Sequence, residues 1–160
     1  AYTDNGREYT GVEVVSWAKQ VEELGAGEIM ITSVDREGTG RGYDIELTRA
    51  VSEAVSIPII TCGGGGAVQD IYQAITEGKS DAVCLASMLH YGYIQKHPSV
   101  LNEGQFEEGN IDFLRSGRCF SKINPASLQE IKGFLYSKGI ACRYDEGGGK
   151  LDERSDSCYS

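Results

Sequence analysis

Three stretches of this 160-residue chain combine residue types that can do chemistry. In the first, the mostly branched apolar run Ile57-Pro58-Ile59-Ile60-Thr61 leads through Cys62 into four glycines, Gly63 to Gly66. Such a run reads as a buried strand. The glycines remove every Cβ from the turn, so backbone amides can approach a ligand closely. A helix starting at about Ala67 would add its positive dipole end and unpaired N–H groups. Strand, glycine turn and helix start together have the anatomy of a phosphate pocket; a tight βα turn that binds nothing is the plain alternative.

The second stretch is the loop Ser33 to Asp44, which carries the carboxylates Asp35 and Glu37 with Gly38, the hydroxyl of Thr39 and further glycines. Two acids at i and i+2 can orient a polyol or take part in proton transfer. Equally, they can be a solvated charged loop in which Arg36 pairs with an acid. The third is Leu85-Ala86-Ser87, where small residues let backbone N–H groups and the Ser87 hydroxyl reach an anion beside the glycine turn. Cys62 and Cys84 read as small core residues, and Trp17 as core or barrel exterior. His90 reads as a packed histidine, His97 as one without partners. Glu28, a carboxylate at the start of a buried strand, is the odd residue.

The elements that must position these groups alternate. Val12, Val15, Ala18, Val21 and Leu24 fall three apart and predict an amphipathic helix over Gly11 to Leu24. A strand follows at Glu28 to Thr32. Asp44 caps a helix through about Val55. After the strand ending at Thr61 comes a helix from about Val68 to Glu77, stopped by Gly78, then a strand from Asp81 to Ala86. The β-α rhythm, repeating every roughly 27 residues, implies a parallel sheet and comes close to the average unit of an eightfold βα barrel. Residues 95–125 break the rhythm and read as a long inserted loop with a helical turn near Ile111 to Leu114. Ala126 to Lys138 is a last amphipathic helix, capped by Ser127 or Asn124 and stopped by Gly139. Residues 144–160 are polar and glycine-rich and read as a disordered tail.

Composition narrows the class. With 40% hydrophobic and 24% charged residues the chain is globular. A net charge of −9 argues against nucleic acid as a partner. No apolar run approaches the roughly 20 residues of a membrane-spanning helix. Five cysteines without CxxC spacing fit neither zinc nor a disulfide framework, so no metal is expected and a cytoplasmic, reducing setting is the simplest. Ala1 opens directly on a strand-and-turn pattern around Asp4-Asn5-Gly6, so the chain reads as part of a longer protein.

Together, Gly25-Ala26-Gly27-Glu28-Ile29, Thr32 through Thr39, Gly42-Tyr43-Asp44, Cys62 through Gly66 and Asp81 through His90 resemble, in order and spacing, the cyclase subunit of imidazole glycerol phosphate synthase. The resemblance covers Tyr2 to Tyr93 well and the last helix, to Arg143, loosely. It implies a (βα)8 TIM-barrel family, α/β in class, with this chain a C-terminal half-barrel of about three to four βα units over residues 1–143.

The family takes ammonia from a partner glutaminase. It forms imidazole glycerol phosphate and aminoimidazole carboxamide ribotide, a lyase/cyclase reaction of histidine biosynthesis, from a ribonucleotide with two phosphates. No cofactor is implied. By the same resemblance, Gly63, Gly64 and Gly65 with Ala86 and Ser87 form the second phosphate site. Asp35, Glu37, Gly38, Thr39 and Cys62 line the substrate, and Glu28 falls on a charged gate where ammonia enters.

The two catalytic aspartates of the family, on strands one and five, would lie before Ala1, so the fragment alone is expected to be inactive. Glu37 stands where the family more often has aspartate, and Cys62 where it more often has serine. These departures keep two alternatives in view: a paralogous amidotransferase synthase subunit acting on a surface-polysaccharide sugar, and a non-catalytic phosphate-binding half-barrel.

Overall fold

The computed structural model describes residues 1–97 and 122–143 of the chain. A short antiparallel hairpin opens it: β1 (Tyr2–Thr3) pairs with β2 (Glu8–Tyr9) around a 3₁₀ turn at Asp4–Gly6. Then helices and parallel strands alternate. They are α1 (Val14–Glu23), β3 (Ile29–Thr32), α2 (Ile45–Ser52), β4 (Ile59–Cys62), α3 (Val68–Thr76), β5 (Ala82–Val83) and α4 (Ser87–Lys96). A further helix, α5 (Leu128–Ser137), closes the described residues. β3, β4 and β5 form one parallel sheet in sequence order, with Ile31 opposite Thr61 and Thr61 opposite Val83.

Local chemistry sets most of the helix ends. Glu13 caps α1, its carboxylate accepting from the amides of Val15 and Ser16 at 2.9 and 2.7 Å. Asp44 caps α2 by accepting from the Leu47 amide at 3.1 Å. Ser127 and Glu130 make a reciprocal capping box on α5. The expected strand from Asp81 to Ala86 is reduced to Ala82–Val83, although the Cys84 amide still donates to the Thr61 carbonyl at 2.8 Å.

Strand alternation divides the sheet into two unlike faces. On one, Ile31 and Ile59 are buried with Ala18 of α1 and Val51 of α2. A second cluster joins Ile71 and Ala74 of α3, Met88 of α4 and Ile131 and Leu135 of α5 around Tyr43. The opposite face carries Met30, Ile60 and Ala82 in register, then Cys62 and Cys84. Among the described residues no element covers it: Met30 is 60% exposed.

Three sequence expectations are corrected here. Cys62 and Cys84 are not core residues; strand alternation places them on the uncovered face, Cys62 half-buried and Cys84 exposed. His97 is not without a partner, since its ring lies 4.6 Å from that of Tyr93. Helix α4 was not foreseen, because apolar and aromatic residues fall on all its sides and blur the helical period. The helical turn expected near Ile111 and the tail at 144–160 lie outside the described residues.

Candidate functional site

The C-terminal ends of β4 and β5 meet in a cavity of about 80 Å³ lined by Gly63, Gly64, Gly65, Cys62, Cys84, Ala86 and Ser87, with Glu37, Gly38 and Tyr43 from the first loop and Ile123 from beyond. That is room for an anionic group, well short of the roughly 300–1,000 Å³ that encloses a whole drug-sized ligand.

The glycine turn needs to be glycine. Gly63 and Gly64 have φ of +93° and +99°, which residues with a Cβ rarely adopt. A Cβ on Gly65 would sit 2.6 Å from Cζ of Tyr43. Tyr43 is itself fixed: it is buried, and its hydroxyl donates to the Cys84 carbonyl at 3.1 Å. Burial, reinforced by the neighbouring Cys62 and Asp70, pushes its phenol far above the ordinary value, so it stays a donor. One phenol thus ties the first loop to the end of β5 from beneath the glycines.

The two helix N-termini at this end differ. The α3 start offers fewer unpaired N–H groups than expected of it. Asp70, one turn in, folds back, and its carboxylate accepts from the amides of Gly66 and Ala67, both at 2.9 Å. At α4 no side chain caps the helix. Among the described residues the amides of Gly64, Gly65 and Ser87 have no protein acceptor. All three residues line the cavity, beside the dipole end of α4, a setting that suits an anion.

The remaining candidates fall around this centre or away from it. Glu37 lines the cavity, close enough that a Cβ on Gly63 would lie 3.0 Å from its Oε2. Gly38 also lines it. Asp35 is exposed and does not line it, and the Thr39 hydroxyl is spent within the loop, donating to the Arg36 carbonyl at 2.7 Å. Glu28 immediately precedes β3, at the opposite end of the sheet, a strand length of roughly 15 Å away.

Two contributors were missed in the sequence. Tyr43 had a signal, standing between Gly42 and the cap Asp44. Residues 122–126 had none: the Asn124 amide donates to the Gly66 carbonyl at 2.7 Å and buried Ile123 closes the cavity. That pairing joins chain segments far apart in sequence.

A family model described as "Histidine biosynthesis protein" matches residues 1–95. Imidazole glycerol phosphate synthase subunit HisF of Nostoc sp. is 56% identical over 93 residues, which are 58% of this chain and 36% of that protein. The subunit HisF of Prochlorococcus marinus subsp. pastoris is 58% identical over 89 residues, 56% of this chain and 35% of that protein. That of Alkaliphilus metalliredigens is 53% identical over 93 residues, 58% and 37% of the two chains. The chain therefore spans little more than a third of the length of these relatives. The family match takes in both strand ends, the glycine turn and the uncapped start of α4, and on that match the chain belongs to the histidine biosynthesis protein family.

Proposed function

We propose that the chain is the C-terminal half-barrel of a cytoplasmic imidazole glycerol phosphate synthase cyclase subunit, and that its cavity holds one phosphate of a bisphosphorylated ribonucleotide. The observation carrying this reading is that Gly64, Gly65 and Ser87, whose amides have no acceptor among the described residues, line one phosphate-sized cavity. Each such bond to a charged group contributes roughly 1.5–3 kcal/mol.

The phosphate sits toward Gly65, Ala86 and Ser87, away from Glu37, whose charge would repel it. Glu37 and Gly38 then face the uncharged glycerol or imidazole portion. Asp35, Thr39 and Cys62 border the path of the substrate. Glu28, at the far end of the sheet, belongs to the entry of ammonia from a partner glutaminase. The acid/base pair is supplied by the other half of the barrel, so the fragment binds without turning over.

Titration with inorganic phosphate, followed by backbone amide NMR, tests the site. Shifts concentrated at Gly64, Gly65, Ala86 and Ser87 support it. Ser87→Glu, which puts a carboxylate at the exposed first position of α4, should abolish them. Shifts elsewhere, or an unchanged Ser87→Glu titration, would sink the assignment. For the whole protein, the full-length gene should restore growth of a histidine-requiring strain; failure with a soluble protein and its matched glutaminase would favour the sugar-modifying alternative.

A further inference from the structure

Cys62 ends β4 and Cys84 lies just past β5, and the pairing of Thr61 with Val83 makes them neighbours in register on the uncovered face. The Cys84 amide still donates to Thr61, so the alignment holds up to this point. Adjacent strands run about 4.8 Å apart, within the roughly 4.4–6.8 Å of Cα separation that a disulfide accepts. Gly63, at φ +93°, follows one cysteine, and an irregular connection to α4 follows the other. Neither thiol is in a disulfide, and both line the anion cavity.

We propose that Cys62 and Cys84 form a vicinal dithiol that a peroxide oxidises to a disulfide across the cavity floor, withdrawing the site from its anion. In the first step the Cys62 sulfur attacks a peroxide oxygen: an S–O bond forms, the O–O bond breaks, and with hydrogen peroxide water leaves, giving a sulfenic acid. In the second the Cys84 sulfur attacks the Cys62 sulfur: the S–S bond forms, the S–O bond breaks, and a second water leaves. Two thiols lose two electrons and two protons, and one peroxide is reduced to two waters. A dithiol reductant reverses the change. Partial desolvation, the Cys62 sulfur and the Glu37 carboxylate hold the Cys84 thiol above its ordinary pKa, which slows its own attack on the peroxide and leaves the first step to Cys62.

The effect on anion binding rests on the proposed phosphate site; the disulfide itself does not. The chain is treated with hydrogen peroxide, folded and in guanidinium, its remaining thiols are alkylated, and it is cut with trypsin. Lys79 lies between the two cysteines, so residues 50–79 and 80–96 separate unless linked. The folded chain should yield this pair linked and two hydrogens lighter; in guanidinium, pairings with Cys119, Cys142 and Cys158 should compete. Alkylation of both thiols in the folded chain, or the same mixture in both conditions, would overturn the dithiol.

Oxidation should weaken inorganic phosphate binding by roughly tenfold or more, the worth of one lost bond to a charged group, and dithiothreitol should restore it. In Cys84→Ser, peroxide should give no linked peptide, and Cys62 should stop at a sulfenic acid that dimedone captures. A linked pair with unaltered phosphate affinity would overturn the withdrawal. A reduced chain that binds no phosphate would sink the ligand assignment while the linked peptide still decides the dithiol.

Discussion

Gly65 and Tyr43 act as one unit at the residue scale. The missing Cβ of Gly65 leaves the space that the phenol fills, and the phenol's bond to the Cys84 carbonyl holds the end of β5 against the turn. Gly65→Ala should therefore destabilise the chain by about 1–3 kcal/mol through overpacking and weaken phosphate binding as Tyr43 is displaced. Tyr43→Phe keeps the volume and loses one hydrogen bond, about 1 kcal/mol. Denaturant midpoints of the two variants should rank in that order, and the reverse ranking would show that the hydroxyl matters more than the space. The glycine requirement itself was legible in Gly63 to Gly66, because it depends on the chain's own Cβ atoms. That Asp70 would occupy the Gly66 and Ala67 amides was not, since an acid in a first helical turn can equally face solvent.

At the scale of elements, α4 carries Ser87 to the cavity and is held at its other end by α5. Lys96 Nζ lies 3.1 Å from Glu130 Oε1, and Glu130 in turn accepts from the hydroxyl and amide of Ser127. Those Ser127 bonds and then Lys96 pull the Glu130 carboxyl down to about 2 from an ordinary 4.5. Because the folded value is the lower one, the contribution is complete above pH 4.5 and fades as pH falls toward about 2. The side chain is exposed, so the loss is modest. Thermal midpoints measured down this range should fall less steeply for Glu130→Gln than for the parent; parallel curves would remove Glu130 from the account. The caps at Asp44 and Ser127 could be read from sequence because capping is local. Helix α4 could not, as half-buried Tyr91 and exposed Tyr93 stand on different sides of it and obscure any stripe.

For the molecule as a whole, the uncovered sheet face dominates. Parallel sheets are normally covered on both faces, yet here Met30, Ile60 and Ala82 stand opposite the helices with nothing described above them. The chain alone should bind an apolar dye and associate as its concentration rises. Met30→Lys should reduce both while changing unfolding stability by less than about 0.5 kcal/mol, as an exposed substitution does. Sedimentation that is independent of concentration in the parent would show the face to be already covered. Once a strand is placed, its two-residue period fixes which residues share a face; the continuous apolar runs legible in sequence do not say which face receives helices.

Glu37 beside the glycines, on a chain of net charge −9, has a kinetic consequence. At the proposed phosphate site, the ligand would have to climb the protein's own negative field before the amides of Gly64, Gly65 and Ser87 could take hold, so at distance it would be pushed away. Dissolved salt, with a screening length of about 10 Å at 0.1 M, flattens that slope. Association in rapid mixing should quicken as an inert salt such as potassium chloride is added, opposite to the trend for an electropositive anion site, and Glu37→Gln should start faster and respond less.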